Sequence, residues 1–262
     1  MLRKLWVRLV ESGPATRDES VDWCRDHRVD AAQWARSIDA RLWAEAEAFS
    51  REQQEVAGRK SKELGLRVGG AGFSELLYFL VRLTRPEAIV ETGVAFGFSS
   101  RAFLRALAEN GGPARLYSSD FPYFRLTDPE RIIGCLVEPD LHGHWSLLIG
   151  SDRQNLKRIV HDVPRIDLFH YDSDKSYSGR QFALRTLGPK LGKDALILFD
   201  DIGDNSHFRN FVRRHGRSHL VFESGGKWIG LTGGPELLYS NAGICVKSED
   251  AAQPAAPSRA ST

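Results

Sequence analysis

From residue 88 to residue 199, short apolar runs alternate with helical stretches of about ten residues, and no other feature narrows the fold as far. The runs cover 88–91, 116–119, 145–149, 166–171 and 195–199, and the helical stretches between them cover 99–109, 129–137, 152–161 and 177–187. Strand and helix in alternation predict a parallel sheet with right-handed crossovers. Runs that are apolar on both faces predict helices covering both sides. Residues 219–223 and 227–231 flank Ser224-Gly225-Gly226 and read as an antiparallel hairpin. The expected fold is α/β and Rossmann-like: a doubly wound, mostly parallel seven-stranded sheet with an antiparallel C-terminal hairpin and an added N-terminal helical region.

Upstream, residues 31–64 place Trp34, Ile38, Leu42, Ala46 and Phe49 at helical spacing. Gly69-Gly70-Ala71-Gly72 breaks that helix, and a second apolar helix over 73–83 closes before Pro86. The expected division is a helical cap or lid over 1–86, a ligand-binding α/β domain over 87–247, and an Ala-, Pro- and Ser-rich disordered tail over 248–262. Core packing or a homodimer contact is the plainer reading of the N-terminal helices. A net charge of +2 offers no field that invites nucleic acid or an acidic membrane. No apolar stretch reaches the roughly 18 residues of a membrane span. The basic N-terminus is interrupted by Arg8 and Glu11 and makes a poor signal peptide. Cys24, Cys135 and Cys245 are too scattered for a metal site or a disulfide framework, so a reducing, cytoplasmic setting is expected.

Open parallel sheets bind ligands beyond the carboxyl ends of their strands, where strand order reverses. At those ends stand Glu91, Asp120, Gly150-Ser151-Asp152, Asp172 and Asp200-Asp201. Carboxylates gathered at one edge call for a cation or for many hydroxyl and amide donors. After the first run comes Glu91-Thr92-Gly93-Val94-Ala95-Phe96-Gly97-Phe98-Ser99. Gly93 and Gly97 permit a sharp turn and a close approach to a ligand. Ser99 suits a helix start, where free N–H groups favour a carboxylate. The third glycine of a dinucleotide fingerprint and the lysine of a P-loop are both missing. A ligand with an amino-acid portion and a ribose, without phosphates, fits better, and Asp120 suits the ribose hydroxyls.

Residues 88 to 232 resemble the class I S-adenosylmethionine-dependent methyltransferases. Glu91-Thr92-Gly93 through Gly97-Phe98-Ser99 is similar to that family's first motif, and Asp120 falls at its ribose-binding acidic position. Gly150-Ser151-Asp152 resembles the Gly-Asp-Ser beside the adenine with the last two residues exchanged, which leaves the roles of Ser151 and Asp152 open. Ile166 to Asp172, followed by Tyr177, resembles the fourth-strand motif, and Leu191-Gly192-Lys193-Asp194 stands where a Gly-Gly pair is usual. The resemblance implies S-adenosylmethionine as cofactor, held by Glu91, Gly93, Gly97, Ser99, Asp120, Ser151, Asp152 and Asp172.

Asp172-Ser173-Asp174-Lys175 with Asp200-Asp201 is further similar to the metal-dependent small-molecule O-methyltransferases of the catechol type and the sugar-modifying, natural-product type. That resemblance implies that Asp172, Asp200 and Asp201 bind a divalent ion such as Mg²⁺, that Lys175 is the base, and that the acceptor is a hydroxylated small molecule. Three carboxylates suit a hard cation, which would acidify a coordinated hydroxyl. Asp174 beside Lys175 works against the base role by holding the lysine charged, and His207 is an alternative base. A metal-independent methyltransferase stays open, as does a nicotinamide-dependent oxidoreductase. His142 and His144 read as a surface loop pair, and His170 as a satisfied histidine of the core or crevice. Phe121 to Arg125 reads as an adenine stack or an acceptor wall.

Overall fold

The computed structural model describes residues 14–69, 72–122 and 129–234. One sheet has the order β3-β2-β1-β4-β5-β7-β6. Its strands are β1 Ala88–Thr92, β2 Arg115–Asp120, β3 Trp145–Ile149, β4 Ile166–Tyr171, β5 Leu191–Phe199, β6 His219–Ser224 and β7 Lys227–Thr232. Pairing is parallel from β3 through β5, and β7 runs antiparallel to both β5 and β6. This is the expected Rossmann-like sheet with its terminal hairpin. Strand order reverses between β1 and β4, so the ligand crevice of such a fold opens at their carboxyl ends.

The helices are α1 Pro14–Asp26, α2 Ala31–Leu64, α3 Ser74–Thr84, α4 Phe98–Asn110, α5 Asp152–Asp162, α6 Tyr177–Leu187 and α7 His207–His215. Neighbouring strand residues face opposite ways, so β1 feeds two cores. Ile89 joins Trp34, Trp43, Phe79 and Phe103 in a layer built by α2, α3 and α4. Val90 joins Trp23, Leu156, Ala183 and Phe208 in a layer built by α1, α5, α6 and α7. Trp34 and Trp43 are buried in this packing and belong to the core. Asp30 caps α2 by accepting the Gln33 N–H at 2.7 Å, and Gly65 ends it at φ 61°. The helix is kinked at Asp39 (φ −152°), whose carboxylate accepts the Leu42 N–H at 2.8 Å and restarts the helix.

Two expectations are corrected. Residues 129–137 form no α-helix: a short 3₁₀ turn over Pro129–Arg131 is followed by irregular turns. Gly134 takes φ 71°, and a Cβ there would stand 2.2 Å from the Trp145 ring. The N–H groups of Gly134 and Leu136 leave the segment to bond the carbonyls of Ala95 and Phe96, at 2.8 and 3.0 Å. The segment is thus stitched to the loop after β1. The fifth strand begins at Leu191, ahead of the expected 195, through an irregularity in its pairing with β4. Met1 to Glu11, Tyr123-Phe124-Arg125, Cys245 and the 248–262 tail lie outside the described residues. Among the described residues no helix is long and apolar enough to cross a membrane.

Candidate active site

The strands stop nearly flush, and the ladder runs one residue beyond them. Gly93, Asp172, Asp200 and Gly150 donate their N–H groups to the carbonyls of Ser119, Thr92, Tyr171 and Asp120, at 2.9, 2.9, 3.0 and 2.8 Å. Gly93, Asp120, Gly150, Asp172 and Asp200 therefore stand side by side along one rim, as the strand-end reading requires.

The β2–β1 half of the rim is built on neutral donors. The loop after β1 turns through positive φ at Gly93 (84°), Ala95 (50°) and Gly97 (94°). A Cβ on Gly93 would lie 2.3 Å from the Asp172 carbonyl oxygen, and one on Gly97 would lie 2.9 Å from the Gly134 Cα. Both glycines thus admit neighbouring main chain, a demand beyond any ligand's. Asp120, only 8% exposed, accepts N–H groups from Val94 (3.2 Å), Ala95 (2.7 Å) and Phe121 (2.7 Å). Burial raises its pKa against the pull of those three donors. Glu91 is fully buried and turns beneath the loop, where the hydroxyls of Ser99, Ser100 and Ser118 donate to it at 2.5, 2.6 and 2.8 Å. The Gly97 cap makes no side-chain hydrogen bond to the α4 N-terminus, whose first N–H groups have no intrahelical partner. Asp152 accepts from Ser119 at 2.7 Å and Ser173 at 2.5 Å, tying α5 to β2 and to the loop after β4. Ser151 instead donates sideways to Gln154 at 2.9 Å.

The β4–β5 half is built on charge. Lys175 donates to Asp172 and, at 2.8 Å, to Asp201. Asp174, the anchor expected for that lysine, accepts the Ser176 N–H at 3.1 Å. Burial opposes the ammonium, but Asp172 and Asp201 outweigh it and raise the Lys175 pKa. Burial, then the charge of Asp200, pushes Asp172 up to about 6 against the pull of Lys175. Asp201 feels burial too, yet Lys175 carries it below the usual carboxylate range. Asp200 Oδ1 points inward, 3.6 Å from His170 Nε2, and His170 Nδ1 lies 3.9 Å from Glu91 Oε1. Glu91 and His170 are register partners on adjacent strands, which brings them to one face. The expectation of a satisfied histidine is corrected: among the described residues neither ring nitrogen, nor Asp200 Oδ1, has a hydrogen-bond partner, and the two carboxylates stand at ion-pair distance only. Burial disfavours the imidazolium, but Asp200 and Glu91 prevail and push His170 up to about 10.

Two residues that motif reading missed hold this half together. Arg180, fully buried, donates to the carbonyls of Asp200 (2.7 Å) and Asp201 (2.9 Å) and to Asn205 Oδ1 (3.2 Å). The Asn205 amide donates to the Lys175 carbonyl at 2.7 Å. The available signal was spacing: Arg180 shares the buried face of α6 with Ala183 and Leu187, a place where arginine needs partners. His207 is no rim residue. It is buried among the rings of Tyr177, Phe199 and Phe211, and burial with the Arg180 charge pushes it down to about 3. His144 bonds the Ala114 carbonyl and His142 packs edge-on to Trp145.

The β2–β1 half fits an aminoacyl ribonucleoside: an uncapped helix end for a carboxylate, Asp120 for ribose hydroxyls, and no phosphate-directed lysine. The β4–β5 half, as its side chains stand, does not fit a divalent ion. Lys175 takes the space between Asp172 and Asp201, Asp200 faces His170, and no three His, Cys, Asp or Glu groups among the described residues are arranged to hold a metal. Mg²⁺ demands near-octahedral oxygen ligands.

Residues 90–202 match the family described as a methyltransferase domain. No curated protein matches the chain. Among solved structures, a Geobacter sulfurreducens methyltransferase aligns with TM-score 0.52 at 19% identity, over 70% of this chain and 89% of its own. A Bacillus cereus O-methyltransferase in complex with SAH aligns with TM-score 0.53 at 14% identity, over 71% and 90%. A proposed caffeoyl-CoA O-methyltransferase from Staphylococcus aureus aligns with TM-score 0.54 at 11% identity, over 73% and 100%. The α/β region has the class I S-adenosylmethionine-dependent methyltransferase fold.

Proposed function

We propose that the protein is an O-methyltransferase that moves a methyl group from S-adenosylmethionine to a hydroxyl of a small molecule, with sugars and polyketide-type natural products among the candidate acceptors. The observation that carries this reading is the placement of Asp120 and the uncapped α4 N-terminus on either side of the loop after β1, at the point where strand order reverses. When bound, the cofactor supplies an electrophilic methyl on a sulfonium that leaves as a neutral thioether. Asp120 takes the ribose hydroxyls through lone pairs left free by its three N–H donors. The α4 N-terminus and Ser99 take the aminoacyl end, with Glu91 holding Ser99 in place. Gly150, Ser151 and Asp152 border the adenine.

Asp172, Lys175, Asp200 and Asp201 border the acceptor oxygen, whose chief need is in-line placement against the methyl carbon. The divalent ion that the sequence motifs imply would belong to Asp172, Asp200 and Asp201, but the side-chain arrangement favours the metal-independent alternative. Lys175 is a poor base while two carboxylates hold its proton. The hydroxyl proton passes more readily to one of those carboxylates and on to water. A cytoplasmic setting and a homodimer built on the N-terminal helices remain part of the proposal.

Calorimetric titration with SAH tests the reading, with NADH as the comparator. The expected result is one SAH site per chain, weakened about tenfold or more in Asp120→Ala, and SAH release from S-adenosylmethionine with hydroxylated acceptors. Binding of NADH in place of SAH would assign the crevice to a nicotinamide cofactor and end the proposal.

A further inference from the structure

We infer that the Lys175 ammonium is a built-in cation, standing where the acidic strand ends would otherwise take up a divalent ion, so that acceptor binding and methyl transfer require no metal. The inference rests on the methyl-transfer reading of the rim. Lys175 Nζ is shared by Asp172 Oδ1 and by Asp201 Oδ2 at 2.8 Å, so one ammonium spans the loops that follow β4 and β5. Asp201 takes a left-handed backbone (φ 50°), which turns its side chain out of the line of β5 and toward the lysine. Asp200, the third carboxylate a metal would recruit, is directed inward to His170 at 3.6 Å.

The arrangement is held from beneath. Asn205 bonds the Lys175 carbonyl, and Arg180 bonds the carbonyls of Asp200 and Asp201 and the Asn205 side chain, so both loops hang from one buried cluster. The cluster fixes the main chain of both loops, so the lysine can leave the carboxylates only by turning its own side chain. The lysine side chain keeps 34% of its surface exposed, at the rim. An ammonium has three donors. Two are spent on carboxylates, and the third, with no acceptor among the described residues, can orient the oxygen of an incoming hydroxyl. A point charge on a flexible stem suits this task, because it directs an oxygen without imposing coordination geometry.

Manganese is the probe, read by electron paramagnetic resonance on chelator-stripped, full-length protein with SAH present. The expected result is no stoichiometric Mn²⁺ on the wild type, one Mn²⁺ per chain on Lys175→Met, and its loss again in Lys175→Met/Asp201→Asn. Lys175→Gln repeats the measurement should the methionine variant fail to fold. Lys175→Arg keeps a positive charge and is expected to exclude Mn²⁺ like the wild type. One tight Mn²⁺ on the wild type, lost in Asp201→Asn, overturns the inference. So does a stable Lys175 variant that binds no Mn²⁺, because the carboxylates then form no cation position for the lysine to fill. SAH affinity, measured on the same samples, separates this outcome from failure of the methyl-transfer reading: loss of SAH binding to the wild type sinks that reading whatever manganese does.

Discussion

The two halves of the rim solve the same problem in opposite ways. Around Glu91, Asp120 and Asp152, the hydrogen bonds come from neutral donors, serine hydroxyls or backbone N–H groups, although Glu91 also lies 3.9 Å from His170 at the border of the two halves. Around Asp172, Asp200 and Asp201, the partners carry charge: Lys175 between two acids, His170 facing the third, and Arg180 beneath the loops. Neutral donors leave the negative potential in place, which suits a sulfonium ligand. Charged partners cancel much of it, and a pair of opposite charges can part or swing when another polar group arrives. The contrast matches a fixed cradle for a constant cofactor beside a site that must accept and release a variable substrate.

The seam between the halves is the place to break the contrast outright. Gly93→Val would force a side chain in where a Cβ already meets the Asp172 carbonyl at 2.3 Å, and at a φ of 84°. Strain and overpacking together should cost about 4 kcal/mol. The variant should unfold at much lower urea and lose SAH binding with it. A stable Gly93→Val protein that binds SAH normally would mean that the two loops do not meet as described.

Arg180→Met strikes one half only. The change removes a donor from the carbonyls of Asp200 and Asp201 and from Asn205 Oδ1, although Asp201 keeps the Asp204 N–H and Asn205 Oδ1 the His207 N–H, for an expected loss of about 2 kcal/mol in urea denaturation. The acid loops should loosen, lowering turnover on the order of 100-fold, while SAH affinity stays within about twofold because the neutral half is not touched. Equal damage to SAH affinity would show that the halves are one mechanical unit.

This division also marks what the sequence could tell. Asp120, Asp172 and Asp200 were legible because strand periodicity alone puts them at strand ends, and the fold rule for parallel sheets then puts strand ends on one rim. The glycine loop was legible because few residues tolerate its φ values. Partners were not. That Asp174 would serve Ser176 while Asp201 reached Lys175 depends on a left-handed turn at Asp201, and neighbours in sequence give no hint of it. Helical spacing puts Arg180 in line with Ala183 and Leu187, but the carbonyls it serves come into view only once α6 is docked. The failed helix at 129–137 has the same origin: its N–H groups find carbonyls some 40 residues upstream in the chain, a long-range bond that local propensity cannot express.

Two buried histidines sharpen the contrast by pH. His170, among carboxylates, is pushed up to about 10, whereas His207, among rings and near Arg180, is pushed down to about 3. For His207 the unfolded chain binds a proton below pH about 6.5 that the fold refuses until about 3. Its contribution therefore falls as pH drops through that window, by roughly 2 kcal/mol between pH 6.5 and 4.5. For His170 the sign reverses: its stabilisation is complete below pH about 6.5 and fades as pH rises toward 10. His207→Phe should flatten the acid-side slope in urea titrations at those two pH values and leave turnover at neutral pH intact. A large loss of turnover would restore His207 as a base.

The smallest effect should come from the one rim residue whose side chain joins neither pattern. Ser151 precedes α5 and donates only to Gln154 on its own helix, and it makes no capping bond to the backbone. If the adenine meets this segment through main chain, Ser151→Ala removes nothing the ligand uses. Stability should then change by less than about 0.5 kcal/mol, as for an ordinary surface substitution, and SAH affinity by less than about twofold. A tenfold weakening in calorimetry, about 1.4 kcal/mol, would mean that the hydroxyl swings from Gln154 to the adenine. The neutral half would then rearrange on binding, and the difference between a fixed cradle and an adaptable acceptor site would lose its ground.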